Sequence, residues 1–185
     1  MKKVTIKEGR HRPLSIVPPF MRNMRFDRNG SQIIGYELLF DESCEYLLDC
    51  GDQTDWNKLY GWGFGLNHHE NSVRLVWRYN LIEKVIEVAP YLYIDGKRTM
   101  PTKEQIIKVK IGEKIKTSIE VLDNIARVII ETDKCYPFEF KFDDNVSNKP
   151  LFGCWFYFGG NRKATHDITI RYNKNEGVIA TLLRY

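Results

Sequence analysis

The strongest constraint in this chain is the side-chain alternation of residues 73–94. In VRLVWRY, Val73, Leu75, Trp77 and Tyr79 alternate with Arg74, Val76 and Arg78, the period of two that gives a β-strand two chemically different faces. The next segment, VIEVAPYLYI, sets Ile86, Val88, Pro90, Leu92 and Ile94 on one side and Val85, Glu87, Ala89, Tyr91 and Tyr93 on the other. Asp95-Gly96 follows at once and predicts a tight hairpin turn. Pro90 has no N–H for a ladder and predicts an edge or a bulge. Such a pair of strands must bury its apolar face against a second layer.

The pattern recurs along the chain. Further strands are predicted at 31–39, 44–49, 57–64, 104–111, 135–142, 151–158, 166–172 and 177–184, separated by short turns rich in Gly, Asn and Asp. An aromatic content of 13% adds side chains that favour pleated, half-buried surfaces. EKIKTSIEVLDNIARVII fits a helix through Ile115, Ile119, Leu122, Ala126 and Ile129. Its β-branched content and the Asp123-Asn124 pair predict a hairpin instead. A chain of 185 residues fills one core and is short for two. The expected architecture is all-β: a two-sheet antiparallel β-sandwich of jelly-roll or concanavalin-like type over 31–185. An extended, basic, Pro-containing arm over 1–30 precedes it, with Pro13, Pro18 and Pro19 disfavouring helix. Leu75, Trp77, Ile86, Val88, Leu92, Ile168 and Ile170 are predicted to face the core.

The net charge of +4 is spread thinly. The basic run is N-terminal, with Lys2, Lys3, Lys7, Arg10 and Arg12, then Arg22, Arg25 and Arg28. No nucleic-acid-binding signature accompanies it, so a solvated face or docking tail is expected rather than a nucleic-acid partner. Cys44, Cys50, Cys135 and Cys154 match no common zinc spacing and read as reduced core residues. No signal peptide or bilayer-spanning run is present, which predicts synthesis in the cytoplasm and no membrane insertion.

Three blocks, DQTDWNKLYGWGFG at 52–65, HHENSVRLVWRYN at 68–80 and FYFGGNRKATHDITIRY at 156–172, together with IDGKR at 94–98, carry a family resemblance. They resemble an uncharacterised β-sandwich family, lectin- and lyase-like in fold, of gut anaerobic bacteria and the tailed phages infecting them. The resemblance implies a sandwich and a virion-associated setting. Jelly-roll polysaccharide lyases share the predicted fold, but their Gln-[Ile/Val]-His strand meets Gln105-Ile106-Ile107 here. Their Arg-x-Glu-x-Leu-Arg and Tyr-x-Lys-x-Gly-x-Tyr strands have no counterpart.

The candidate site is the second face of the two central strands. Arg74 and Arg78, set against Glu87, Tyr91 and Tyr93, offer flat rings and guanidinium forks of the kind that glycan recognition uses. The plainer alternative is an exposed, salt-bridged sheet face, or one covered by the N-terminal segment. Secondary candidates are His68, His69 and His166. Adjacent His68 and His69 would point to opposite faces on a strand and could share a ligand only in a loop; with no close-spaced ligand set beside them, no metal site and no cofactor are expected. Gly61-Trp62-Gly63-Phe64-Gly65 leads into a loop and a strand rather than a helix, which argues against a phosphate loop. Alternating Gly and aromatic residues instead predict a strand with room opposite its rings. The expected function is non-catalytic recognition or assembly, as a phage virion component contacting a glycan, other virion proteins or copies of itself. The competing expectation is a polysaccharide lyase or hydrolase.

Overall fold

The alternating segments fold as antiparallel strands. In chain order they are β1 (Lys2–Ile6), β2 (Met24–Arg25), β3 (Gln32–Phe40), β4 (Asn57–Phe64), β5 (Ser72–Asn80), β6 (Val85–Ile94), β7 (Lys97–Thr99), β8 (Ile107–Val109), β9 (Lys114–Leu122), β10 (Ile125–Glu131), β11 (Cys135–Lys141), β12 (Leu151–Cys154) and β13 (Ile168–Lys174). The computed structural model describes residues 1–14, 24–25, 30–48 and 51–174. One sheet runs β1-β13-β3-β9-β10-β11. The other runs β2-β12-β4-β5-β6-β7, with β8 also on β6. The inner faces of both supply one apolar cluster, which makes the fold an all-β sandwich of jelly-roll type.

The central hairpin has the expected register, with Arg74 opposite Tyr91, Val76 opposite Ala89 and Arg78 opposite Glu87. Asp95 and Gly96 have φ of 50° and 75°, the left-handed pair that a type I′ hairpin needs. Pro90 falls between two short neighbours, since β8 pairs residues 86–88 of β6 and β7 pairs residues 92–94. The residue without an N–H therefore has no partner strand on that side. Residues 114–131 form the β9–β10 hairpin, with Asp123 at φ 52°. The seven predicted core residues are each at most 2% exposed. Tyr60 Oη donates to Thr117 Oγ1 at 2.8 Å between the sheets, and Thr117 donates to the Tyr36 carbonyl at 2.9 Å. These two buried hydroxyls are thus partnered where the layers meet.

Several expectations change. Residues 44–48 are not a strand: a 3-10 turn at Glu42–Cys44 precedes an irregular segment. Asp41 Oδ1 accepts from the Ser43 amide at 3.1 Å, while Gln53 accepts from the Leu48 amide at 2.7 Å and donates to the Tyr46 carbonyl at 3.3 Å. These local side-chain bonds take backbone groups that a ladder would need. The predicted strand at 104–111 opens as a 3-10 turn at Lys103–Gln105 under a Thr102/Gln105 capping box, and only Ile107–Val109 pair. The one at 151–158 ends at Cys154, leaving a lone Lys58–Tyr157 bridge. The strand predicted at 166–172 begins at Ile168, so His166 and Asp167 precede it.

Within the expected arm, Lys2–Ile6 pair with β13 and Met24–Arg25 with β12. The alternation Val4, Ile6 buries one side of β1 against the first sheet. Cys44 is buried but Cys135 is exposed, because it opens the edge strand β11. Cys50 and the strand predicted at 177–184 lie outside the described residues.

Candidate functional site

The outer face of the second sheet is built by residues paired across β4, β5 and β6. On β4, Gly61 stands opposite Arg74 and Gly63 opposite Ser72, while Trp62 and Phe64 turn into the core. The alternating glycines therefore clear the outer face where Arg74 lies. A Cβ at Gly61 would sit 2.2 Å from the Val73 carbonyl oxygen, and one at Gly63 would sit 3.0 Å from His68 Cβ.

The five predicted residues divide into two groups. Arg78 Nε donates to Glu87 Oε2 at 2.6 Å, and Arg78 Nη1 donates to the Thr54 carbonyl at 2.9 Å. Its guanidinium lies 4.3 Å from the Trp56 ring centroid, and Glu87 Oε1 accepts from Asn80 at 2.8 Å. This pair is neutralised, and each member has a further hydrogen-bond partner. Trp56 packs with Val76, Ala89 and Tyr91 as a small apolar cluster, with Ile106 and Tyr93 against it. That part of the face is covered, by Trp56 and Ile106.

Arg74 differs. It is only 7% exposed, yet its Nε and Nη2 have no hydrogen-bond acceptor among the described residues. These two nitrogens carry the parallel N–H bonds that form the side-on guanidinium fork. A buried unpaired charge costs several kcal/mol, and a guanidinium does not escape by losing its proton. Both nitrogens are shielded from water, so an acceptor reaches them by displacing part of their cover.

Arg74 lines a cavity of about 600 Å³ together with Arg12, Lys58, His68, His69, Cys154 and Tyr157. The cavity also takes in Phe152, Trp155 and the Gly159–Asn161 turn, and its lining contains no carboxylate among the described residues. Asp55 stands against the Gly160 backbone, where an added Cβ would clash with its carboxylate, and it acts on the Lys58 charge. Lys58 Nζ donates to the Trp56 carbonyl at 2.7 Å and lies 5.5 Å from the Tyr91 ring centroid. Burial, with Arg74 and Arg98 adding repulsion, pulls its ammonium down to about 8 despite Asp55. The Cys154 thiol is pushed up by burial, with Arg74 opposing, so it supplies no counter-charge.

His68 and His69 lie in a turn, not on a strand. Their rings stand 4.2 Å apart, and both line the cavity. Asn67 Oδ1 accepts from the His69 amide at 3.1 Å. The Gly96 amide donates to the Glu70 carbonyl at 2.8 Å and the Asp95 amide to Asn71 Oδ1 at 3.0 Å. The β6–β7 hairpin tip thus holds the His turn over the sheet. Burial, then repulsion by Arg74, lowers both imidazoles, His68 to about 4. Tyr93 meets His69 edge-on at 5.0 Å and Tyr91 at 5.8 Å. Burial and neighbouring Tyr93 push the Tyr91 phenol up to about 12.

Arg74, Tyr91, Tyr93, His68 and His69 therefore adjoin one another, while Arg78 and Glu87 form a separate structural pair. His166 is elsewhere: its Nε2 pairs with the Ser43 carbonyl at 2.9 Å, at a loop-to-strand junction. No group of three His, Cys, Asp or Glu residues suited to a metal occurs among the described residues. Sequence reasoning passed over Lys58, Arg12, Tyr157 and Cys154. Lys58 carried a signal, as the lone cation within the alternation of β4.

No family model matches this chain, and no curated protein matches it. Among solved structures it is similar to family 7 alginate lyase A1-II' (12% identity over 80% of this chain and 60% of that one, TM-score 0.49). It is also similar to alginate lyase AlyC3 (14% identity, 81% of this chain and 65% of that one, TM-score 0.49). Chicken galectin 2 matches with 10% identity, 81% of this chain, 97% of that one and a TM-score of 0.35. The chain thus spans less than two thirds of either lyase's length.

Proposed function

We propose that this domain recognises an acidic saccharide without cleaving it, holding a carboxylate against Arg74 in the outer-face cavity. The observation that carries the reading is the buried Arg74 fork with no acceptor on Nε or Nη2 among the described residues. A planar carboxylate offers two oxygens that match such a fork. The cavity volume lies within the range of small-molecule sites, and its mixed lining suits a saccharide around that carboxylate. Tyr157 and Trp155 supply rings, and the neutral imidazoles supply hydroxyl partners. The resemblance over residues 50–172 adds the setting, a virion surface meeting a glycan.

The test is an NMR titration with glucuronate, with methyl glucoside as the uncharged control. Glucuronate should bind and methyl glucoside should not, and Arg74→Met should weaken glucuronate at least about tenfold, the worth of roughly 1.4 kcal/mol. The same variant should melt no lower than the parent, because it removes an uncompensated buried charge. Equal binding of both sugars, or an Arg74→Met protein that still binds glucuronate, would overturn the reading.

One observation favours a second reading, cleavage of the same ligand by β-elimination. Lys58 and the two neutral imidazoles share the cavity with Arg74. A base therefore stands beside a group that would stabilise a carboxylate-bearing carbanion. Growth of an unsaturated uronate chromophore on incubation with polyuronate would establish this reading in place of pure recognition.

A further inference from the structure

Tyr157 borders more than one cavity. A second, more open cavity of about 740 Å³ is lined by Glu8, Gly9, Arg10, His11, Arg12, Tyr157 and Lys163. Arg12 and Tyr157 belong to both cavities. The turn that follows Tyr157 runs alongside both, with Gly159, Gly160 and Asn161 on the first and Lys163 on the second. This divide is firmly built. Tyr157 exchanges two backbone hydrogen bonds with Lys58, at 2.8 and 3.0 Å, and His11 stacks on its ring at 5.0 Å with 9° between planes. The Arg12 guanidinium lies 5.5 Å from the same ring centroid. The Gly9 amide donates to the Ala164 carbonyl at 2.8 Å and the Ala164 amide donates to the Arg10 carbonyl at 3.0 Å, which fastens this strip in place.

The charges along this path are one-sided. Arg10, Arg12 and Lys163 form no ion pair with any described residue, whereas neighbouring Arg162 pairs with Asp52 at 3.5 Å and Lys7 with Asp167 at 2.6 Å. Glu8 is the one carboxylate among the described residues that line the second cavity. Arg10, Arg12 and Lys163 thus place three unmatched positive charges along one cavity, against the single carboxylate of Glu8. A row of unpaired cations beside a groove concentrates polyanions.

We infer that the two cavities form one continuous groove for a chain of carboxylated sugar units, in which the Arg10–Arg12–Lys163 cavity is a second anionic subsite. This rests on the proposed function and extends it from one acidic unit to an oligomer. Arg74 takes one carboxylate in the deep cavity, and a later unit passes Tyr157 to meet Arg10 and Lys163. The outer contacts are exposed and individually weak, so they raise affinity by acting together on a ligand already anchored.

The experiment compares glucuronate with tetragalacturonate by NMR titration on the full chain, for the parent and for Arg10→Ala/Lys163→Ala. Both replaced residues are exposed, and preserved amide dispersion verifies the fold. The tetramer should bind the parent at least about tenfold more tightly than the monomer. The double variant should lose about five- to tenfold of tetramer affinity and leave glucuronate unchanged. Glucuronate binding with no gain for the tetramer, or a tetramer gain that survives in the double variant, would overturn this inference and spare the proposed function. Failure of both ligands to bind would remove the proposed function itself. Polyphosphate binding as tightly as the tetramer, with the same loss in the double variant, would overturn the commitment to carboxylated sugars.

Discussion

Arg74 and Arg78 sit four residues apart on one face of one strand, and they end in opposite electrostatic states. Arg78 meets Glu87 directly across the hairpin and has the Trp56 ring beside it. Arg74 meets Tyr91, with Gly61 on its other side, and pairs with no carboxylate among the described residues. The identity of the cross-strand partner decides which guanidinium is structural and which is available. Lys58 is tied to the same site through its charge. Because its ammonium titrates near 8, it is cationic below that pH and neutral above it. Anion binding favours the cationic form, so affinity for glucuronate should fall as pH rises from 7 to 9, while the ligand carboxylate stays ionised throughout. Lys58→Met should bind more weakly at pH 7 and lose this dependence. Parallel titrations at the two pH values check it, and an unchanged slope in the variant would assign the effect to another group.

At the scale of elements, β4 shows how a strand makes room on one face while filling the other. Gly61 faces the outer side between large inward residues Tyr60 and Trp62, and a Cβ there would meet backbone rather than a movable side chain. Gly61→Ala should therefore displace β4 from β5 and cost about 1–3 kcal/mol, read as a lower urea midpoint with little change in slope. The motif's glycines were legible in the sequence as making room, because rings alternated with them; what occupies that room was not. His68 comes from the following turn, and Arg12 and Tyr157 come from distant parts of the chain. Strand positions were legible wherever burial imposed the alternation, as in β4, β5, β6 and the β9–β10 hairpin. They were lost where Asp41, Gln53 or Thr102 captured backbone groups locally, since a side-chain bond to the backbone leaves no period in the pattern. For the paired His residues the sequence left strand and loop both open; the Asn67 side chain closes a turn, and both rings then line one cavity.

For the whole molecule, the sandwich depends on contact between its two inner faces, and Trp77 is where that dependence is tested most directly. It lies on β5 in the second sheet, 1% exposed. Its ring centroid is 5.4 Å from Phe40 of the first sheet and 5.8 Å from Tyr46 in the irregular segment that follows β3. Truncation to alanine removes contacts to both layers and leaves a void that β-sheets, held by their own ladders, close only in part. Losing a buried Trp side chain costs about 3–5 kcal/mol, against a total stability of about 5–15 kcal/mol for a domain. Trp77→Ala should therefore lower the urea midpoint by a large fraction of its value and leave a measurable unfolded population at ambient temperature. Lys116→Ala, on the exposed side of β9, removes only a half-exposed ion pair with Glu131 and should cost far less. If the two variants proved equally stable, the inner face of β5 would not be the seam on which the two sheets close.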